Sequence, residues 1–352
     1  MVLRCLLILS SLTIICKSLE VGDACKLSNG KNGDCKLVTN CPSAIELINR
    51  RQTPILCGFE GFTSIVCCDE TRIFTNSRDS PGKKSKDYCE YINPATISAV
   101  GGVDSLVKEF PHMAALGVIN GDEVKWLCGG SLINERFIIT AAHCLISRDF
   151  GILTHVRLGD LNLKLDTDDA QPQDYGIKRA IKYPEYNRKT SYHDLALLEL
   201  DRNVNFTGYV KPACLNVDKN PTNGQVLTAT GWGRTQYGGD TSDHLQKIEI
   251  FESKNSDCSL KYKDDAKLNL GIVDDWQICA SAPGKDTCQV MTGDSGGPLQ
   301  KNNFFYHTIY GVTSFGKACG LVNVPGVYTR ISYYIDWIEK MVWPNGIHDG
   351  LA

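Results

Sequence analysis

Gly293-Asp294-Ser295-Gly296-Gly297-Pro298 sets one serine among three glycines, closed by a proline. A serine hydroxyl is a weak nucleophile at neutral pH, so such a segment acquires chemistry only beside a base and an orienting acid. Two upstream stretches offer them, Ala141-Ala142-His143-Cys144 and Asp194-Leu195-Ala196-Leu197-Leu198. The chain order is therefore His, Asp, Ser, one of several orders in which the same triad has arisen independently. In this reading His143 takes the Ser295 proton and returns it to the leaving amine, since imidazole titrates near neutrality. Asp194 holds the other ring nitrogen and fixes the tautomer. The backbone N–H groups of Gly293 and Ser295 form an oxyanion hole, worth roughly 3–4 kcal/mol per donor. A lone histidine beside alanines is usually a packed core residue, and a lone aspartate usually caps a turn. The three segments together, in this order, read as one catalytic set. His112, His155 and His193 lack such company and read as structural.

The 352 residues exceed one average domain and can bury a core of ordinary size. A net charge of −3 argues against a nucleic-acid partner held by bulk electrostatics. Residues 1–18 read as a secretory signal: Arg4 gives the positive start, residues 6–15 the apolar stretch, and Cys16 and Ser18 stand three and one positions before a cut ahead of Leu19. That stretch is shorter than the about 20 residues a membrane span needs, so a soluble, exported, extracellular protein with no membrane partner is expected. Of 16 cysteines, Cys5 and Cys16 leave with the signal, and the even remainder reads as a disulfide framework of an oxidising compartment. The adjacent Cys67-Cys68 argues against a zinc site.

Residues 25–68 hold six cysteines, Cys25, Cys35, Cys41, Cys57, Cys67 and Cys68, in a segment too small for much apolar core. Spacing alone leaves all fifteen pairings open. Residues 69–98 follow as a polar linker and activation segment. Its basic run Lys83-Lys84-Ser85-Lys86 reads as solvated, and the stretch 69–87 as open to proteases. From residue 99 the character changes. Short β-rich runs such as Phe137-Ile138-Ile139-Thr140, Val226-Leu227-Thr228-Ala229-Thr230 and Ile309-Tyr310-Gly311-Val312-Thr313-Ser314 alternate with Gly, Pro and Asn, which indicates an all-β barrel or sandwich. The end differs: Ile335, Ile338, Met341 and Val342, with Trp337 and Trp343, fit an amphipathic helix packed on the β structure.

These motifs, with Gly231-Trp232-Gly233, give residues 99–343 a close resemblance to chymotrypsin-like serine proteases. Residues 25–68 resemble the clip domain that precedes such proteases in arthropods. The resemblance covers nearly the whole mature chain. It implies an all-β, double β-barrel fold with a C-terminal helix, preceded by a small disulfide-rich clip domain. It also implies the pairs Cys25–Cys67, Cys35–Cys57, Cys41–Cys68, Cys128–Cys144, Cys258–Cys279 and Cys288–Cys319, with Cys89–Cys214 tying the halves together.

Members of this family are zymogens cut before a short apolar N-terminus. Here the matching stretch is Ala99-Val100-Gly101-Gly102, whose new ammonium would pair with Asp294 and order the oxyanion hole. Ala99 stands where the family has Ile, losing about 2 kcal/mol of burial. Ser98 stands where Arg or Lys is usual, so an activator that is not trypsin-like is expected. Asp286, two residues before Cys288, matches the carboxylate at the base of a trypsin-like pocket, and Ser314, Gly316 and Gly326 match its walls. Such a slot selects Arg or Lys by a charge-assisted hydrogen bond. Between Gln289 and Gly293 stand Val290-Met291-Thr292, where the family runs from Gln straight into Gly. Asp160 and Asn162, with Asp166, Asp168 and Asp169, lie in a loop that binds structural Ca²⁺ in some relatives; a solvated acidic loop accounts for them equally well. No cofactor is required. Asn205-Phe206-Thr207 is a glycosylation sequon.

Two functions follow. One is a secreted zymogen of a trypsin-like endopeptidase in an innate-immune cascade of the Toll or melanisation kind. Its partners would be a protein substrate (a downstream zymogen or pro-cytokine), an upstream activating protease and a serpin-type inhibitor. The other is a catalytically impaired homologue acting as a regulatory cofactor, favoured only by the three inserted residues.

Overall fold

The computed structural model describes the chain except residues 1–2, 7–14, 29, 50–51, 61–62, 69–79, 94–108, 122, 166–167, 169, 219–224, 234–240, 282–294, 304–305, 317–323 and 348–352. It divides into two compact units, Met1–Asp79 and Ser80–Ala352. No described helix is long and apolar enough to cross a membrane.

In the first unit, strands β1 (Leu3–Leu6) and β2 (Ile15–Ser18) pair antiparallel. Strands β3 (Ala24–Lys26), β4 (Asn32–Leu37), β5 (Leu56–Glu60) and β6 (Thr63–Cys68) form a sheet in the order β3-β4-β6-β5, with helix α1 (Pro42–Asn49) beside β6. Three disulfides close it: Cys25–Cys67, Cys35–Cys57 and Cys41–Cys68. Successive side chains of a strand point to opposite faces. The adjacent Cys67 and Cys68 on β6 therefore serve two different clusters. Cys67 packs with Leu19, Cys25, Cys35, Cys57 and Ile65, whereas Cys68 packs with Cys41, Ala44 and Val66. Cystine takes the place of the large apolar core that so short a segment cannot build.

The second unit opens with helix α2 (Lys83–Ile92). Its first barrel comprises β7 (Met113–Asn120), β8 (Glu123–Leu132), β9 (Phe137–Thr140), β12 (His155–Leu158), β13 (Gln173–Lys182) and β14 (Ala196–Leu200), closed in the order β12-β13-β14-β9-β8-β7. A small hairpin of β10 (Ile146–Ser147) and β11 (Gly151–Ile152) interrupts it. After β15 (Cys214–Leu215), the second barrel comprises β16 (Val226–Gly231), β17 (Gln246–Ser253), β18 (Gln277–Ser281), β19 (Pro298–Asn302), β20 (His307–Phe315) and β21 (Gly326–Arg330). The pairing of β20 with β21 closes it, and β15 adds in parallel to β20. Helix α3 (Asn255–Tyr262) lies between β17 and β18, and α4 (Ile331–Val342) ends the unit. Fully buried Leu116, Leu132, Ile138, Ile139, Leu158 and Leu197 fill the first barrel. Leu227, Ile250, Ile278, Leu299 and Tyr328 fill the second. Ile331, Tyr334, Ile335, Ile338 and Val342 of α4 recur at helical spacing and are buried against the first cluster.

The linker read over 69–98 needs correction for residues 80–93, which belong to the second unit. The run Lys83-Lys84-Ser85-Lys86 is the first turn of α2, and it is docked. The buried Glu339 carboxylate of α4 accepts the Gly82 N–H at 3.0 Å and the Ser85 N–H at 2.6 Å. A helix start leaves such donors without partners, and an anion there also suits the helix dipole. Lys84 Nζ reaches the Trp343 carbonyl at 2.7 Å. Tyr88 is buried with its ring 5.1 Å from that of Trp343, its hydroxyl donating to Glu135 at 3.1 Å. Cys89–Cys214 fastens the helix covalently.

Candidate active site

His143 sits on a single 3-10 turn, Ala142–Leu145, between β9 and β10. The disulfide Cys128–Cys144 pins that turn to β8. Asp194 occupies the tight bend before β14, where the Leu195 N–H returns to the His193 carbonyl at 2.8 Å. Its carboxylate, on a residue 5% exposed, is filled with donors. Oδ1 accepts the His143 backbone N–H at 2.9 Å. Oδ2 accepts His143 Nδ1–H and the Ser314 hydroxyl, both at 2.6 Å. The Thr329 hydroxyl donates to the Asp194 carbonyl at 2.9 Å.

Burial opposes charge on His143, but the attraction and hydrogen bond of Asp194 outweigh it and hold the imidazole above its ordinary value. Burial likewise penalises the Asp194 carboxylate. His143 and the hydrogen bonds from His143 and Ser314 overcome that penalty and keep it below the usual carboxylate range. An aspartate kept ionised on Nδ1–H leaves Nε2 free to accept a proton. That is the arrangement a general base requires.

Ser295 is held by its backbone in the turn just before β19. Its carbonyl accepts the Gly129 N–H of β8 at 2.8 Å and lies 3.5 Å from Sγ of Cys144, the residue after His143. The Gly296 N–H donates to Thr313 O, and the Thr313 N–H to Gly297 O, each at 2.9 Å. Gly296 has φ +80°, and a Cβ there would collide with the Thr140 hydroxyl and sit 2.5 Å from Gly129 O. Glycine is thus required where the serine segment of the second barrel packs against β8 and β9 of the first. Ser295 and His143 stand side by side, though no hydrogen bond joins Ser295 Oγ to Nε2. In free enzymes that bond is often long and tightens only on substrate.

Residues 99–338 match the family model described as Trypsin. The chain belongs to the trypsin family. It is 33% identical to "Serine protease snk" of Drosophila melanogaster over 94% of this chain and 81% of that protein. It is 33% identical to "Phenoloxidase-activating factor 1" of Holotrichia diomphalia over 93% and 95% of the two. The same identity holds with "CLIP domain-containing serine protease B4" of Anopheles gambiae, over 93% and 94%. The protein is a clip-domain serine protease, hence a serine endopeptidase.

Other sequence-derived site residues of the protease fall differently. Ser98, Ala99, Asp286, Gly293, Asp294 and the pair Cys288–Cys319 lie outside the described residues, as do Val290-Met291-Thr292. Gly316 follows β20 and Gly326 opens β21. Because Phe315 pairs with Val327, the two glycines adjoin at one end of that strand pair. Ser314 was read as a pocket wall, but its hydroxyl is turned onto Asp194. It stands at a register shift of β20 between Thr313 and Phe315, and a bulge re-aims its side chain inward. Cys258–Cys279 joins α3 to β18. Asn205 is exposed.

The oxygens of Asp160 and Asn162 are engaged within the protein, and Asp166 and Asp169 of the same loop lie outside the described residues. Asp160 Oδ2 pairs with Arg157 at 3.3 Å, and Oδ1 accepts the Asn162 N–H at 3.1 Å. Asn162 Oδ1 in turn accepts the Lys164 N–H at 3.1 Å. Burial raises the Asp160 pKa, Arg157 pulls it down and Asp168 pushes it up again. Arg157, forked onto Asp174 at 2.8 and 2.9 Å, already supplies the positive charge.

His193, read from the sequence as structural, holds the Asp194 bend in place. At φ +56° it is the one described non-glycine residue with positive φ, and it directly precedes Asp194. Its Nδ1 shares a 3.0 Å hydrogen bond with the Tyr334 hydroxyl of α4, and its ring stacks on Tyr183 at 5.6 Å. The bend that carries Asp194 is thereby tied to the C-terminal helix.

Proposed function

We propose that this protease is a secreted zymogen whose active form cleaves proteins after Arg or Lys through Ser295 as nucleophile, His143 as base and Asp194 as orienting acid. The observation that carries the reading is the Asp194 carboxylate, buried and filled by three donors, two of them from His143. Such a carboxylate holds the imidazole in the one tautomer that can accept a proton from serine. Ser314 and Thr329 act as positioning residues for it. The Arg or Lys preference rests on Asp286 with Gly316 and Gly326, where a carboxylate at the base of a narrow slot forms a charge-assisted hydrogen bond.

Activation would free Ala99, whose ammonium would pair with Asp294 and order the Gly293 and Ser295 donors. With Ser98 before the cut, the activating protease is not trypsin-like. The relatives include a factor named for phenoloxidase activation. That name supports a place in a proteolytic cascade with a zymogen as substrate, to which the proposal adds an extracellular setting and a serpin-type inhibitor as brake.

The test is to activate the purified full chain, sequence the new N-terminus and expose the protein to a serine-directed phosphonate bearing a basic side chain. Labelling is expected only after a cut before Ala99, and not in Ser295→Ala. A correctly cut protein that takes no label would instead be a regulatory homologue whose Val290-Met291-Thr292 insertion displaces Gly293. Cleavage only after large apolar residues would overturn the pocket.

A further inference from the structure

The His143 turn runs directly into the β10–β11 hairpin, and that hairpin presents apolar side chains to solvent. Ile152 is 63% exposed, and Ile146 and Phe150 are exposed as well. Arg188, from the loop leading to Asp194, crosses to this hairpin and donates through Nη2 to the Ile146 carbonyl at 3.0 Å. Arg188, Lys189 and Arg148 are all exposed. Among the described residues no carboxylate lies within ion-pair distance of any of them. Arg188, which has no acidic partner, thus lies close to His143 beside three exposed apolar side chains; Lys189 follows it in the chain and Arg148 lies in the hairpin turn. Asp149, at the hairpin tip, is the nearest acidic residue in sequence.

A polypeptide attacked at Ser295 must cross His143, because the leaving amine receives its proton there. Residues flanking the cleaved bond therefore pass over this surface. The Ile146 carbonyl and the Tyr186 hydroxyl each hold part of the Arg188 fork, and the exposed guanidinium has no carboxylate partner among the described residues. A guanidinium so pre-organised matches a carboxylate better than a free lysine does. Arg188 also opposes protonation of His143, so its charge is felt at the reacting centre.

We propose that Arg188, Lys189 and the β10–β11 hairpin form a subsite beside His143 that takes an acidic residue of the protein substrate, next to an apolar one that covers Ile146 and Ile152. The proposal rests on the reading of His143 and Ser295 as the catalytic pair. It adds a second selection, by negative charge near the cleaved bond, to the one for Arg or Lys at the bond itself.

The experiment scans Glu against Gln at each position flanking the cleaved bond in otherwise identical fluorogenic peptides, with the activated full chain. One position should favour Glu by about three- to tenfold in kcat/KM, the size of one or two exposed ion pairs. The ratio should shrink as salt is raised, and Arg188→Gln with Lys189→Gln should erase it. A wild-type ratio near one at every position overturns the proposal, as does a ratio that survives the double substitution. The same comparison made as peptide binding to Ser295→Ala needs no turnover. A retained Glu preference there, with no hydrolysis by the wild type, would overturn the catalytic reading alone. Flat binding would overturn the subsite.

Discussion

Replacing Glu339 by alanine strips the start of α2 of its two side-chain acceptors. The carboxylate is buried and takes the N–H of Gly82 at 3.0 Å and of Ser85 at 2.6 Å. Hydrogen bonds to a charged group contribute about 1.5–3 kcal/mol each, and two on one carboxylate are not fully additive, so a loss of about 3 kcal/mol is expected. Glu339→Gln keeps one acceptor but turns an NH₂ toward the other donor, and should lose nearly as much. Cys89–Cys214 still anchors the far end of the helix. The loss should therefore appear first as local opening. Hydrogen exchange of the α2 amides in the full chain should accelerate by about 10²-fold, the equivalent of 3 kcal/mol. If docking of α2 is coupled to global unfolding, Tm should also fall by about 6 °C or more. Exchange within threefold of wild type, with Tm unchanged, would show that the carboxylate does not hold the helix and would refute the argument.

Other consequences are as direct. Catalysis needs neutral His143, so the acid limb of kcat/KM should lie above 6.5. In Asp194→Asn burial and Arg188 both oppose protonation with nothing against them, so the limb should move below that value, and kcat should fall on the order of 10⁴-fold, the effect known for this change in such a triad; an unshifted limb counts against the pairing. The same pair is linked to stability: the His143 part is complete below pH 6.5 and fades as pH rises through its raised value, while the Asp194 part holds above 3.8 and is lost as pH falls through its depressed value. The Tm difference between wild type and Asp194→Asn should thus peak between those two values. Gly296→Ala forces a Cβ against Thr140 and Gly129 at φ +80°, and a displacement of Ser295 by about 1 Å should cost about 10²-fold in kcat; full activity with normal folding would contradict it. Tyr334→Phe removes the partner of His193 and should lower kcat by up to about tenfold with KM unchanged, while a change confined to Tm would mark a purely structural contact.

Much of this was readable in the chain itself because the relevant signals are local. Runs such as Phe137-Ile138-Ile139-Thr140 carry the strand pattern within a few residues, and Ser295 among its glycines announces a strained turn whose partners can be sought by type. What stayed hidden depends on distant partners. The polar stretch around Lys83 looks solvated until Glu339 and Trp343, some 250 residues on, supply its contacts. Ser314 reads from the sequence as a pocket wall, and only the register shift in β20 shows its hydroxyl turned onto Asp194. The acidic loop at Asp160 suggested a metal because Arg157 counts, in sequence, as just another surface cation. His193 gave no signal, since a positive φ at a non-glycine residue is set by the packing of its ring against Tyr183 and Tyr334.

The bridge from Cys89 to Cys214 spans the whole first barrel in sequence. Any single backbone cut between those residues therefore yields one molecule with two chains, not two molecules. The order of the process is changed by that: once cut, the segment bearing the first unit cannot be lost by dilution, and its local concentration around the active site does not depend on how much protease is present. Whatever the first unit binds, the catalytic unit is carried to the same place, so long as the cuts fall between Cys89 and Cys214 and the bridge is not reduced.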